Sequence, residues 1–417
     1  MVVTIVVLLI LAGVSISLLL DENGIIKKSK DARREYGQAK TNEQEQMDNA
    51  GDWIDEAATG KVTLAKVPVG TKASKNGTIN GEEGNSNNPT IPKNYIPIDT
   101  ATSTWGDGST APSQDSVNHG LVIRDEQNNE WVWVPVPDVT VMCDTSNTTE
   151  YTLCGTTGET AVTTNKYSKS GIISGKTRTT PGTTSDFREP DLVVGSGTEY
   201  DANTYCKIIL GETGTKEQLA QLFADEYKAM IESVSKYGGF YIGRYELSDA
   251  GVQKEKQPLT KTNWYNLYKK CKELNASNKV EARMIWGCQW DVTMNWLISS
   301  GAKTSDEVNK NSSTWGNYYL TSVKADDGTT EIKASKKKAV LNTGITTFTM
   351  ANNIYDLAGN CEEWTQEAHR TYYFRAYRGG HYSVNGSYIP ASYRGDDGVG
   401  GRPSQRQRQQ LTVLVPL

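Results

Sequence analysis

Cysteine and histidine are scarce in this chain, and both shortages limit its chemistry. Its 417 residues include six cysteines and three histidines. No two cysteines have the CxxC spacing that is typical of zinc sites and redox dithiols. The histidines, His119, His369 and His381, show no spacing typical of a metal site or a catalytic triad. We therefore expect each histidine to be a surface or loop residue.

An excess of positive charge and the common catalytic motifs are absent as well. The net charge is −5 and the isoelectric point is about 5.5, whereas nucleic-acid binding needs clustered Lys and Arg. The motifs GxGxxG, HExxH and GxSxG and the P-loop do not occur. The sequence therefore predicts no nucleic-acid partner and none of the enzyme classes that these motifs mark.

What the chain does contain is an uncharged apolar run over residues 1–20, followed at once by charged residues. As a helix, this run spans about 30 Å, which matches the hydrocarbon core of a bilayer and exceeds the apolar part of a secretory signal peptide. Good helix formers continue to Glu56. We therefore expect a membrane helix that runs on into a solvated one.

Residues 1–56 resemble the N-terminal half of a type IV pilin-like subunit. The resemblance implies a helix that is stored in the membrane and then bundled with copies of itself into a filament, at the cell surface or in an extracellular pilus. Ile5 stands where pilins carry a glutamate, and the basic leader is expected to have been removed or to precede this start. An ordinary signal-anchor helix is the alternative.

Composition divides the rest of the chain into a linker and a folded domain. Residues 57–118 are rich in Gly, Asn, Ser and Thr, too polar to bury a core, and we expect a linker or long surface loops. The domain is predicted over 119–417, with a polar insertion at about 144–202. Cys143 and Cys154 bracket a polar loop, either as a disulfide or as two unpaired thiols.

Hydrophobic periodicity predicts the main elements of this domain. Residues 120–137 are typical of two strands joined by a polar turn. Apolar residues at spacings of three and four predict a helix from Glu217 that ends at Gly238 and Gly239. A strand (FYIGRYELS) and a second helix (NWYNLYKKCKELNAS) follow. The segment ARMIWGCQWDVTMNWLIS is expected to open as a turn and continue as a third helix.

Five segments in a fixed order carry a resemblance to a known family. They are GFYIGRYE, NWYNLYKKCKEL, RMIWGCQWD, NIYDLAGNCEEWT and YRGGHYSVNGS. Together they are similar to the C-type lectin fold of the formylglycine-generating-enzyme type, over about residues 120–401. The resemblance implies an α+β domain with a small twisted mixed sheet, two flanking helices and irregular loops near the C-terminus, preceded here by the long hydrophobic N-terminal α-helix.

The same resemblance implies that this chain is not an oxidase. The family's enzyme needs a cysteine pair just after the RGG segment to bind copper and attack a thiol, and this chain has no cysteine after Cys361. We therefore expect no enzyme activity and no required cofactor. A metal-assisted oxidase of the formylglycine-generating type is the alternative.

In the family, the segment that matches DLAGNCEEWT can wrap a calcium ion with two backbone carbonyls and one carboxylate. By position, these ligands fall on the carbonyls of Gly359 and Cys361 and on the side chain of Glu363. Glu362 stands where the family usually has Trp. Structural calcium is therefore one hypothesis, and a hydrogen-bonded turn without metal is the other. A disulfide between Cys288 and Cys361 is a further hypothesis.

Tyrosine is concentrated near the C-terminus. Six of the chain's 21 tyrosines lie within residues 372–397, among Ser, Gly, Asn and Asp, which is the composition of antibody paratopes. Tyr377 and Tyr393 are expected to be buried. The arrangement resembles the variable proteins of diversity-generating retroelements, whose C-type lectin domain displays a hypervariable binding patch encoded by mutable Asn-type codons.

This second resemblance implies a ligand-binding region at about 366–401 and a framework around it. The ligand-binding residues are predicted to be Tyr373, His381, Tyr382, Ser383, Val384, Tyr388, Ile389, Gly395, Asp396 and Asp397. The framework residues are Arg378, Gly379, Gly380, Pro390, Ala391, Ser392 and Arg394. The expected ligand is a protein or a glycan, and a purely structural pilin is the alternative function.

The end of the chain departs from the lectin-type family, which closes with a strand just after a Gly-x-Arg segment. Here polar residues follow Arg402, and an apolar stretch, LTVLVPL, starts only at Leu411. This stretch is either a displaced final strand or part of an extension that does not complete the domain. Trimming after Arg402 without a fall in melting temperature would support the extension.

Overall fold

The computed structural model describes residues 89–92, 95–98, 119–142, 202–274, 280–369 and 374–398, together with several shorter pieces, which are Ser86, Val117, 151–152, 164–165, 187–188, 276–277, 408–410 and 412–416. All of them belong to the second of two units, 61–417, into which the chain divides. The predicted pilin-like helix, Cys143, Cys154 and Tyr373 lie outside the described residues. Within those residues, no helix has both the length and the apolar character that crossing a bilayer requires.

The domain mixes helices and strands along the chain. The strands are β1 Ile96–Ile98, β2 Val122–Arg124, β3 Glu130–Pro135, β4 Tyr151–Thr152, β5 Thr164–Asn165, β6 Phe187–Arg188, β7 Gly239–Gly243, β8 Ala276–Ser277, β9 Val280–Met284, β10 Val323–Lys324, β11 Glu331–Lys333, β12 Met350–Ala351, β13 Ile354–Tyr355, β14 Glu362–His369, β15 Phe374–Arg378, β16 Arg394–Gly398, β17 Arg408–Gln410 and β18 Thr412–Pro416. The helices are α1 Ala202–Leu210, α2 Lys216–Tyr237, α3 Trp264–Glu273, α4 Gly287–Ser299 and α5 Ser305–Asn309. Two 3-10 turns cover Val139–Val141 and Thr347–Thr349.

Seven strands form the main sheet, in the order β1-β2-β3-β7-β18-β9-β8. Every neighbouring pair in it is antiparallel. The centre of the sheet is buried on both faces, since every residue from Trp131 to Val134 and from Gly239 to Gly243 is buried. The two strands predicted in 120–137 are confirmed as β2 and β3. Asp125 closes the polar turn between them by accepting the main-chain N–H of Asn129 at 2.8 Å.

Helices α2 and α4 carry much of the core that packs with this sheet. Tyr227 and Met230 of α2 and Trp290 of α4 belong to one buried cluster with residues of β3 and β7. Helix α2 begins with a capping box between Thr215 and Gln218, and it ends where Gly238 takes the left-handed conformation at φ 74°. The predicted stop at Gly238 is therefore confirmed.

A second sheet lies next to the predicted binding region, with strand order β16-β15-β14-β17 and β6 also paired with β14. Strand β6 comes from the predicted insertion, and Arg188 is in register with Ala368. The insertion therefore contributes a strand to the domain rather than only a surface loop.

Two sequence interpretations are settled by the pairing of β18. This strand lies between β7 and β9, with Val413 opposite both Ile242 and Arg283. Within LTVLVPL, Thr412–Pro416 is thus the displaced final strand, and the idea of an extension that leaves the domain incomplete is wrong. The turn predicted at the start of ARMIWG is also wrong, because Ala282, Arg283 and Met284 belong to β9, which pairs with the distant C-terminal strand β18.

Candidate functional site

The 381–389 loop, which connects β15 with β16, is fixed mainly through its main chain. Three hydrogen bonds join it to two other segments: Tyr382 N to Asn360 O (3.0 Å), Tyr319 N to Val384 O (2.8 Å) and Ser312 N to Gly386 O (3.1 Å). Within the loop, the N–H groups of residues 388 and 389 both donate to Asn385 O at 3.0 Å. The shape of the loop therefore rests largely on peptide groups, which every residue type except proline supplies.

Two glycines allow the main chains of the loop and its neighbours to approach this closely. Gly380 has φ +80°, and a Cβ there would lie 2.5 Å from the carbonyl oxygen of Ile389. A Cβ at Gly386 would lie 2.5 Å from the main-chain nitrogen of Ser313. Neither site has room for a side chain, so both glycines are requirements of the loop geometry.

Six of the predicted ligand-binding residues have side chains that reach the surface. Tyr388 is the most open, with 72% of its surface exposed. The other five are partly exposed, namely Tyr382, Ser383, Val384, Asp396 and Asp397. Of these, Val384 also packs against the core cluster. Tyrosine, hydroxyl and carboxylate groups together can make both apolar contacts and hydrogen bonds to a ligand.

Three other predicted ligand-binding residues are buried, namely His381, Ile389 and Gly395. Gly395 is opposite Tyr377 in the β15–β16 pair, and a Cβ there would lie 2.3 Å from the tyrosine ring. Ile389 is 7% exposed. In this chain these three residues support the surface from beneath instead of forming it.

His381 is a loop residue, as expected, but it is only 5% exposed, which does not fit the ligand contact predicted for it. Its Nδ1 lies 2.9 Å from Ser383 Oγ, and its Nε2 lies 3.6 Å from Glu362 Oε1. The ring therefore links the start of the loop to the buried first residue of β14. The sequence offered no signal for this role because Glu362 is distant in the chain.

All seven predicted framework residues are buried. Two of them, Arg378 and Arg394, enter a network of four buried charges with Asp291 of α4 and Glu367 of β14. Arg394 bonds to Asp291 at 2.5 Å and to Glu367 at 2.9 Å, and Arg378 donates to Asp291. Arg378 also lies 3.6 Å from Glu367. The network ties both strands that flank the loop to the helix below them.

The balance of two cations and two anions explains how these charges remain buried. Burial acts to lower the pKa of Arg394, but Asp291 and Glu367 outweigh it, and the net pKa is raised. Removing one partner from such a network costs about 3–5 kcal/mol, because the remaining charge stays buried and uncompensated. Tyr377 and Tyr393 are buried as expected, at 4% and 3% exposure.

A second buried cluster, at the turn before β14, is all acidic. Glu246 accepts from Asn360 Nδ2 at 2.6 Å, and Asp356 accepts from Thr343 Oγ1 at 2.9 Å. Burial raises the pKa of Glu363, and the nearby carboxylates Glu246 and Asp356 raise it further. Burial also raises the pKa of Glu246, and it raises that of Asp356 to about 6. This cluster favours bound protons or a bound cation.

The calcium hypothesis places its ion at this cluster. Neither carboxylate oxygen of Glu363 receives a hydrogen bond from another described residue, which leaves both able to bind a cation. Gly359 and Asn360 both adopt left-handed conformations and turn the chain tightly here. Among the described residues, no group of three or more His, Cys, Asp or Glu side chains is arranged for a metal. A calcium ion would therefore depend on the carbonyls of Gly359 and Cys361, and it stays a prediction.

Cys361 bears on two other hypotheses. It is a buried free thiol, so the proposed disulfide between Cys288 and Cys361 is wrong. Burial raises the pKa of the Cys361 thiol, and the neighbouring carboxylates, Glu246 first, raise it further. A thiol held in the protonated form is a poor nucleophile and a poor ligand for copper.

The sequence did not point to the segment that flanks the loop. Tyr319 bonds to the loop through its N–H, and the next residue, Leu320, is 46% exposed. Large exposed apolar side chains are few among the described residues, and Leu320 and Tyr388 are two of them. The exposed side chain of Leu320 is what distinguishes this segment, and a sequence alone does not show which side chains are exposed.

The chain matches no model of a known protein family, and no curated protein sequence matches it. Among solved structures, it is similar to Treponema denticola variable protein 1, with 16% identity and a TM-score of 0.25, over 38% of this chain and 72% of that protein. Overlap at this level does not establish a shared fold.

Proposed function

We propose that this chain is a surface-displayed ligand-binding protein whose variable contacts are the exposed and partly exposed side chains of the 381–389 loop. One observation carries the proposal, namely that the main chain of the loop is held by other segments while several of its side chains reach solvent. Such a loop can accept new side chains without losing its shape. This is the property that a diversified C-type lectin site requires.

The N-terminal sequence supports a pilin-like mode of display. We propose that residues 1–56 hold the chain in the membrane and assemble with copies of themselves into a filament at the cell surface. Repetition of a weak site along a filament raises avidity by about 10²–10⁴ without any new contact. The partners are then the membrane, further copies of this chain and a protein or glycan ligand.

No covalent chemistry is part of this proposal, and structural calcium at Glu363 belongs to it as a support for the turn before β14. If calcium binds there, adding it raises the melting temperature of the full chain, and Glu363→Gln abolishes the rise. Equal melting temperatures with calcium and with a chelator would favour the hydrogen-bonded turn without metal.

The binding proposal is tested on the full chain with a glycan array and an array of cell-surface proteins. We expect selective binding that falls about tenfold or more in Tyr382→Ala/Tyr388→Ala, because exposed tyrosines are frequent hot spots. The matched control is Ile96→Ala, which changes an exposed apolar residue of β1. Equal losses in both variants, or no binding to either array, would contradict the proposal.

The filament proposal has its own test. Negative-stain electron microscopy of the full chain is compared with a chain that starts at Gly51. We expect filaments only from the full chain. Dispersed particles from both would leave residues 1–50 as an ordinary anchor.

A further inference from the structure

A turn of three consecutive lysines lies beside the 381–389 loop. The negative net charge of the whole chain gives no sign of this local positive charge. The lysine turn, defined as residues 336–338, exposes three lysine side chains. In the part of the chain that the structure describes, none of the three forms an ion pair. Like charges that are crowded together without counter-charges create a positive local potential, which attracts anions. The lysine turn is therefore a local exception in a chain of net charge −5.

The lysine turn has a defined shape. Lys336 takes the left-handed conformation at φ 67°, and its N–H donates to Tyr319 O at 2.6 Å. The preceding Ser335 donates its hydroxyl to Leu320 O at 2.8 Å. Lys338 places its ammonium 5.4 Å from the centre of the Tyr319 ring. The three charges are thus presented from a fixed main chain and not from a free tail.

The buried side chain of Lys333 stabilises the position of the lysine turn. It is only 1% exposed, and its ammonium donates to Tyr318 O at 2.8 Å, to Thr321 O at 2.7 Å and to Lys337 O at 3.4 Å. One buried cation therefore joins the lysine turn to residues 318–321. Because Tyr319 also bonds to Val384 of the loop, main-chain hydrogen bonds connect the loop, residues 319–320 and the lysine turn.

We propose that the lysine turn and Tyr319 are the constant side of the binding surface, and that they select acidic polysaccharides, sugar polymers that carry sulfate or carboxylate groups. This inference rests on the proposed ligand-binding function and names its ligand class. The loop side chains then set the preference among such polymers, while the lysines supply attraction that does not depend on the loop sequence.

The side chains around the lysine turn favour a sugar polymer over other polyanions. Lysine is a compact point charge with three donors, which suits single sulfate or carboxylate groups spaced along a chain. Exposed hydroxyls of Ser335 and Ser387 can bond to sugar hydroxyls. Lys338 lies over the ring of Tyr319, so the ring beside the lysines is less open to the base stacking on which binding of single-stranded nucleic acids depends.

The test measures binding of the full chain to dextran sulfate, heparin, neutral dextran, poly-L-glutamate and oligo-dT by biolayer interferometry, at about 0.15 M salt, where weak surface charge effects are screened. We expect saturable binding to the two sulfated polymers. Lys336→Gln/Lys337→Gln/Lys338→Gln should weaken it about tenfold or more, because the variant lacks the three positive charges that attract the sulfate groups. Lys336→Arg/Lys337→Arg/Lys338→Arg keeps the charges and should bind like the unchanged chain.

The matched control is Lys256→Gln/Lys261→Gln/Lys269→Gln, which removes the same charge from three exposed lysines elsewhere and should bind within about twofold of the unchanged chain. Melting curves verify that all variants fold. Equal losses in the two Gln variants, or no binding to a sulfated polymer, would overturn the inference. So would equally tight binding of poly-L-glutamate or oligo-dT. If an array ligand depends on Tyr382 and Tyr388 but not on the lysine turn, only this inference fails and the proposed function stands.

Discussion

Arg378 and Arg394, beneath the 381–389 loop, are buried and paired with carboxylates, whereas Tyr388 in the loop has 72% of its surface in solvent. The two regions are close in sequence but differ in what their side chains do. Under the loop, side chains hold elements together through buried charges. In the loop, main-chain hydrogen bonds fix the conformation, and the exposed side chains are available to contact a ligand. Stability and recognition are therefore carried by different atoms.

The largest effect that tests this contrast is expected from loss of β18. Removing residues 403–417 leaves β7 and β9 without the strand that joins them in the main sheet, so we expect no cooperative unfolding transition. The unfolding transitions of the full chain and of the truncated chain are measured by circular dichroism during heating. Removing Leu417 alone is the control and should leave the transition in place. An unchanged melting temperature after the long truncation would contradict the pairing.

The next effect concerns the buried charge network. Asp291→Asn removes one anion that bonds to both Arg378 and Arg394, and we expect a loss of about 3–5 kcal/mol in the free energy of unfolding. The control is Asp306→Asn, which breaks an exposed pair with Lys310 and should change stability only slightly. Chemical denaturation of the full chain gives both values. Similar losses in the two variants would show that the network does not hold the framework.

A smaller effect is expected from the acidic cluster, as a dependence of stability on pH. The pKa of buried Asp356 is raised from 3.8 to about 6, so the folded chain keeps a proton that the unfolded chain has lost between these values. Stability from this group is therefore fully present below about pH 4 and is lost as the pH rises through 6, by about 3 kcal/mol in total.

Asp356→Asn cannot titrate and should flatten the stability curve between pH 4 and 7. Melting temperatures across this range, compared with those of the unchanged chain, measure the difference. Carboxylates such as Asp327, whose pKa is lowered to about 2, act in the opposite direction and only at lower pH. A curve of the same slope in the variant would assign the pH dependence to other groups.

Local patterns made part of this fold predictable. The periodic apolar residues of α2 and the glycine at its end predict the helix and its stop, because both signals lie within the element itself. The polar turn between β2 and β3 is local for the same reason. The sequence predicts a turn from Ala282, where the structure has the end of β9, and it leaves the role of β18 open, because the pairing of these two strands joins distant parts of the chain.

The candidate site shows the same limit. Gly380 and Arg394 were predicted as framework residues and are buried, whereas His381 was predicted as a surface contact and is also buried. His381 lies against Glu362, a residue of another segment that leaves no mark in the sequence of the loop. The lysine turn is visible in the sequence as a run of like charges, but only the structure places it beside the loop.

The most direct test of the central claim is the unfolding free energy of a full chain in which three exposed or partly exposed loop side chains are replaced together, as Tyr382→Ser/Ser387→Asn/Tyr388→Asn. The account predicts a change of about 1 kcal/mol or less, because surface substitutions away from caps and cores are usually small. Gly395→Ala is the matched comparison and should cost more, since its Cβ would lie 2.3 Å from the Tyr377 ring. A loss in the triple variant as large as that in Gly395→Ala would mean that the loop side chains hold the fold, and it would contradict a loop that is built to vary.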